Sequence, residues 1–134
     1  NRKPNFEIAP GTMEIGIGHH GEPGTEVTAL KTADETADTM LEIVLEDHDL
    51  ASGDAVCVLL SGLGATPVNE LYVLYDRVAR GLADKGISVH RPLVGNYFTS
   101  LEMMGATLTV MKLDDDLRSL LDAEARAPGL SIGA

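Results

Sequence analysis

Residues 13–26, MEIGIGHHGEPGTE, end a glycine-spaced run in two adjacent histidines, His19 and His20, and follow them with a Gly-Glu-Pro-Gly turn. A neutral imidazole keeps a lone pair on one ring nitrogen. Because imidazole in water titrates near about 6.5, such a side chain can serve at neutral pH as nucleophile, base or metal ligand. A metal site would need both rings to converge on one ion. Neighbours on a strand diverge, the single cysteine is Cys57, and no His-x-x-x-His spacing occurs, so zinc is not expected. A serine or cysteine nucleophile paired with His20 would lie far away in sequence, and nothing further supports one.

Successive strand side chains point to opposite faces, which puts Met13, Ile15 and Ile17 in one row and Glu14, Gly16 and Gly18 in the other. Carried two residues further, this alternation assigns His19 to the apolar row. It assigns His20 to the row whose glycines leave open volume above the backbone, the face a small ligand can approach. A histidine that ends a strand and caps the next turn would fit equally, and periodicity leaves both roles open for His20. His19 reads as a core-side residue, and His48 and His90 as ordinary surface residues.

The histidine pair needs elements to hold it. Residues 6–8 and 13–18 read as two short strands joined through Pro10 and Gly11. From Leu30, apolar residues recur at helical spacing, and Thr32 with Glu35 fits a capping box, which predicts a helix over 33–47. AVCVLL at 55–60 is continuously apolar, as in a core strand. SGLGATP leads into Leu71, Leu74, Tyr75, Val78 and Leu82, a helix with Thr66 as N-cap, Pro67 as first residue and Gly86 as stop. Residues 87–95 predict a strand whose Pro92 suits an edge, a bulge or a strand end. Residues 99–105 predict one helical turn, 106–113 a half-buried strand, and Asp114 the cap of a last helix through DDLRSLLDAEA. The expected fold is α/β, a two-layer sandwich with a mixed sheet of about five or six strands and about three main helices.

Composition limits the function. A chain of 134 residues suits one compact domain with a real core. No apolar run approaches the ~18 residues of a membrane span, and NRKPNF lacks the apolar stretch of a signal peptide, so a cytoplasmic protein with no membrane partner is expected. The formal net charge of −11 repels polyanions, so no nucleic-acid partner is expected. SGLGATP lacks the Gly-Lys-Ser/Thr of a P-loop and reads as fold or interface structure.

MEIGIGHHGEPG resembles the signature of the substrate-binding domain of dihydroxyacetone kinases, in which a strand ends in Gly-x-Gly-x-His-Gly-Glu-Pro-Gly. Two further blocks follow in the family's order, LLSGLGATPVNELYVLY at 59–75 and VGNYFTSLEMMGATLTVMKLDDDL at 94–117, with a closing Ala-Pro at 127–128. The resemblance implies that residues 1–124 form the C-terminal half of that domain and that 125–134 are an exit or linker. It implies that His20 attacks the ketone carbon of dihydroxyacetone, or of a related short ketose, and holds it as a covalent hemiaminal. Gly18, Gly21 and Glu22 would lie beside the substrate, Glu22 orienting the ring or holding the turn.

The implied activity is glycerone kinase, a phosphotransferase with an alcohol acceptor, of which this chain alone carries only part of the site. The implied partners are the N-terminal half of the domain, a second copy in a homodimer, and a separate helical nucleotide-binding domain or subunit that carries ATP–Mg or ADP. This chain itself would bind no cofactor and no metal. Relatives that bind ketose without phosphorylating it make a noncatalytic sensor or coregulator the alternative. The chain departs from the family at His19, usually apolar, at Ser61, commonly asparagine, and at Asn96.

Overall fold

The computed structural model describes residues 7–133, and the chain divides into two compact units, one up to Thr32 and one from Ala33 onward.

The first unit is a hairpin. β1, Thr12–Ile15, pairs antiparallel with β2, Glu26–Ala29, in a register running from Thr12 opposite Ala29 to Ile15 opposite Glu26. This differs from the expected pairing. Of the strand expected at 6–8, Phe6 lies outside the described residues, while Glu7 and Ile8 are not in a strand. The partner comes instead from beyond the Gly-Glu-Pro-Gly turn, where four residues containing β-branched Val27 and Thr28 are too short and too polar to stand out by periodicity. The strand expected over 13–18 stops at Ile15. Gly16 takes a φ of +75°, a backbone state outside the extended region, and so ends it.

The second unit carries the core. It runs α1 (Ala33–Glu46), β3 (Ala55–Gly62), α2 (Val68–Asp84), β4 (Ser88–Gly95), β5 (Ala106–Leu113) and α3 (Asp115–Asp122), followed by β6 (Ala125–Ala127) and β7 (Leu130–Ile132). β3 lies at the centre of a mixed sheet of order β4-β3-β5, parallel to β4 and antiparallel to β5. Its continuous apolar run suits that place. Val56, Val58 and Leu60 are wholly buried with Leu71, Val78 and Leu82 of α2 and Ala37 of α1, and Leu41 of α1 is buried in the same cluster. Leu71, Leu74, Val78 and Leu82 recur at helical spacing, so α2 turns a single apolar stripe to the sheet.

Pro92 stands in β4, an outer strand, opposite Val58, and the register shifts by one residue between Val56 and Cys57. This agrees with its reading as an edge or bulge residue. Asp114 caps α3 by accepting from the Leu117 amide at 2.7 Å. Asp122, in the last turn of the same helix, receives Arg91 Nη2 at 2.5 Å and lies 2.8 Å from His90 Nε2, which fastens α3 to β4.

The α/β class, the three helices and the mixed sheet are as expected, with the strands shared among sheets of two, three and two. Three local expectations are corrected. Thr66 does not cap α2; that position is held by Pro67, with no side-chain cap. Residues 99–105 form an irregular loop in place of a helical turn, because their backbone bonds to the loop after β3 and not to itself. α3 ends at Asp122, and the following residues fold into the β6–β7 hairpin.

Core truncation should therefore be costly at β3 and cheap in the irregular loop. We predict that Leu60→Ala costs about 2–5 kcal/mol in urea unfolding. Leu101→Ala, at a side chain 97% exposed, should stay within about 0.5 kcal/mol. The Lys112 ammonium, and after it the Ala51 amide, hold Asp54 below the ordinary carboxylate value of 3.8; the Arg91 guanidinium, and after it His90, do the same for Asp122. Carboxyls depressed in the folded state add stability that is present above the unfolded pKa and is lost as pH falls through the folded one. Thermal midpoints of Asp54→Asn and Asp122→Asn should lie below that of the parent at neutral pH, and the gap should close on acidification below about pH 4.

Candidate functional site

His20 sits at the tip of the loop joining β1 to β2. Two groups of hydrogen bonds shape that loop. At its base, the Thr25 amide donates to the Ile15 carbonyl at 2.8 Å, and the Thr25 hydroxyl donates to the same oxygen at 3.2 Å. Next to these, the Gly24 amide donates to Glu14 Oε1 at 2.6 Å. At the tip, the Gly18 amide donates to the Glu22 carbonyl at 3.0 Å, the Gly21 amide to the Gly18 carbonyl at 3.1 Å, and the His20 amide to Glu22 Oε2 at 3.1 Å. A β-carbon on Gly18 would collide with the Glu22 carboxylate, so the turn closes this tightly only with glycine there.

The His20 side chain is 91% exposed, and its Nδ1 faces Glu22 Oε1 at 3.8 Å. Glu22 thus touches the residue twice, once by a backbone hydrogen bond and once as a carboxylate alongside the ring. Its 62% exposure makes the second contact a weak, screened one. Gly21, with a φ of +93° and open space where a side chain would go, shapes the same turn. The four residues singled out in the sequence, Gly18, His20, Gly21 and Glu22, therefore lie in one turn. The route to His20 by strand alternation does not hold, since alternation stops at Ile15 and His19 is exposed like its neighbour.

A groove of about 640 Å³ between α1 and α2, lined by residues including Leu41, Glu42, Arg77 and Asp84, contains none of these four. Burial pushes the Cys57 thiol up, which disfavours a nucleophilic thiolate. GLSIG at 129–133 carries the letters of a nucleophile elbow, but Ser131 lies inside β7 of a hairpin and not at a strand-to-helix turn. Among the described residues, no group of three His, Cys, Asp or Glu is placed to hold a metal ion, and no helix is long and apolar enough to cross a membrane.

The second sequence block forms a structure of its own. Ser61, wholly buried at the end of β3, accepts the amides of Tyr97 and Phe98 at 2.9 Å each and donates to the Gly62 carbonyl at 3.1 Å. The Thr66 hydroxyl donates to the Gly105 carbonyl at 2.8 Å and accepts the Gly105 amide at 2.7 Å. The Leu63 amide goes to Gly105 and the Ala65 amide to Met103. These donors face protein carbonyls, as a fold-building loop requires. Ser61 is the residue that patterning undervalued; the signal was a polar residue ending an apolar strand just before a glycine.

Comparison with known proteins gives a consistent result. The family model described as the Dak1 domain matches residues 1–129. The dihydroxyacetone-binding subunit DhaK of a PTS-dependent dihydroxyacetone kinase from Listeria innocua is 44% identical over 94% of this chain and 38% of its own length. The corresponding subunit of the PEP-dependent dihydroxyacetone kinase of Escherichia coli is 35% identical over 98% of this chain and 44% of its own. Among solved structures, a dihydroxyacetone kinase operon co-activator superposes with a TM-score of 0.78 at 30% identity, covering 92% of this chain and 39% of that one. The chain thus spans less than half the length of these relatives.

The Ser61 hydroxyl generates a prediction of its own. Ser61→Ala leaves the Tyr97 and Phe98 amides without their acceptor, and should cost about 1–3 kcal/mol in urea unfolding. The exchange of those two amides, followed by NMR, should quicken in the same variant.

Proposed function

Because the chain belongs to the Dak1 domain family, we propose that it binds dihydroxyacetone or a related short ketose covalently on His20, as the C-terminal part of a longer substrate-binding domain. The observation that carries this reading is the exposed imidazole, held by its own backbone at a loop tip, with Nδ1 turned towards Glu22. Nε2 is then the nitrogen open to a ligand. Its lone pair forms a bond to the ketone carbon while the carbonyl π pair moves to oxygen. That oxygen takes up a proton, Nδ1 releases one, and the product is a neutral hemiaminal. A carboxylate beside Nδ1 favours the positive charge that develops on the ring before the proton leaves. Gly18 and Gly21 give the substrate room beside the ring, and Glu22 orients it.

Glycerol has no carbonyl to attack, so covalent capture separates ketoses from polyols of the same size by chemistry and not by fit. The bond also fixes a terminal hydroxyl, whose attack on a phosphoryl group then loses little further entropy. We assign the phosphoryl donor, ATP–Mg or an ADP recharged by a phosphotransferase protein, to a separate helical subunit. The commitment of the Leu63 and Ala65 amides to protein carbonyls supports this assignment. We further place the protein in the cytoplasm as a homodimer whose upstream half completes the site.

The structural likeness to an operon co-activator supports a second reading, in which the same capture reports ketose levels without phosphorylation. Adding the nucleotide-binding subunit with ATP–Mg separates the two: phosphate transfer to the ketose marks the kinase, and binding without turnover marks the sensor.

Dihydroxyacetone labelled with carbon-13 at the carbonyl tests the capture itself. With the full-length protein, the bound label should leave the ketone region of the NMR spectrum for that of a carbon bonded to one oxygen and one nitrogen. His20→Ala should abolish the shifted signal. A label that stays in the ketone or hydrate region, or a shifted signal that survives in His20→Ala, contradicts the proposal.

A further inference from the structure

We propose that Glu14 is a positioning residue for His20, acting through the Gly24 amide; the inference rests on the reading of His20 as nucleophile. Glu14 lies on β1, opposite Val27 of β2, so its own backbone is fixed by the hairpin ladder. Its carboxylate is half-buried and accepts the Gly24 amide at 2.6 Å across a span of ten residues. The approach is close: a β-carbon on Gly24 would lie 2.6 Å from Glu14 Cγ and would collide with the Ile15 carbonyl. Glycine at position 24 and glutamate at position 14 therefore form one unit.

The two carboxylates of the loop do different things. Glu22 sits inside the loop and binds the His20 amide, so it ties the loop to itself and moves with it. Glu14 sits on the strand and ties the loop to the sheet. Beside the Thr25 bonds to Ile15, the Glu14–Gly24 bond joins this loop to a strand residue through a side chain. Without it the turn around His20 keeps its internal hydrogen bonds and the Thr25 bonds to Ile15, but loses one of the ties that set its direction relative to β1. A nucleophile displaced by about 1 Å loses up to about 100-fold in effectiveness, so the direction of the loop bears on capture.

The test compares Glu14→Ala with Glu14→Gln in the full-length protein, reading apparent dihydroxyacetone affinity and amide hydrogen exchange at Gly24. Glu14→Ala should weaken the affinity about 10-fold and quicken Gly24 exchange by a similar factor, as expected for a lost hydrogen bond to a charged acceptor. Exchange at Val58 and Val78 in the core should not change. Glu14→Gln keeps an acceptor oxygen at the same reach, and should restore both readouts to within about 3-fold of the parent. If Glu14→Ala does not fold, Glu14→Asp, one methylene too short to reach, takes its place against Glu14→Gln. Parent-like affinity and exchange in the truncated variant, or no rescue by glutamine, overturns the proposal. A parent protein that captures no ketose overturns the reading of His20 instead, and Gly24 exchange then decides the role of Glu14 by itself.

Discussion

A loop that buries none of its side chains can hold a histidine in place only if its backbone amides are tied down. None of residues 16–25 is buried. Their order comes from hydrogen bonds: Thr25 to Ile15 and Gly24 to Glu14 at the base, Gly18 and His20 to Glu22 at the tip. The glycines follow from this constraint, because two of the bonds need backbone to approach a carboxylate side chain closer than a β-carbon permits. The motif is thus a prescription for amide placement as well as the source of the groups proposed to meet substrate.

The second unit solves a different problem by burial. β3 is covered closely enough that Val56, Val58, Leu60 and Ser61 are all inaccessible, and the strand passes its order on through Ser61 to the irregular residues beyond β4. The chain needs no helical turn there. Reciprocal bonds between Thr66 and Gly105, with the Leu63 and Ala65 amides, hold two loops against each other without regular structure.

The legible parts of the sequence were those where one physical signal dominates. Helical spacing placed α1 and α2 to within a few residues, the apolar run at 55–60 marked the central strand, and Pro92 marked an outer one. The hairpin is hard to read because its strands are four residues long and because a positive-φ glycine can end a strand whose side-chain pattern continues. The motif brings Gly18, His20, Gly21 and Glu22 together; alternation also points to His20, but along a strand that stops at Ile15. Thr66 shows the limit of local rules: its type and position suit a helix cap, but a distant backbone group, Gly105, takes its hydroxyl.

The proposed function depends on an exposed imidazole at this loop tip forming a bond to a ketone carbon. A crystal structure of the full-length protein soaked with dihydroxyacetone addresses it most directly. Electron density should run continuously from His20 Nε2 to a tetrahedral carbon, with Nδ1 still facing Glu22. Clear density for a planar, unbonded ketose beside an intact His20 ring would contradict it.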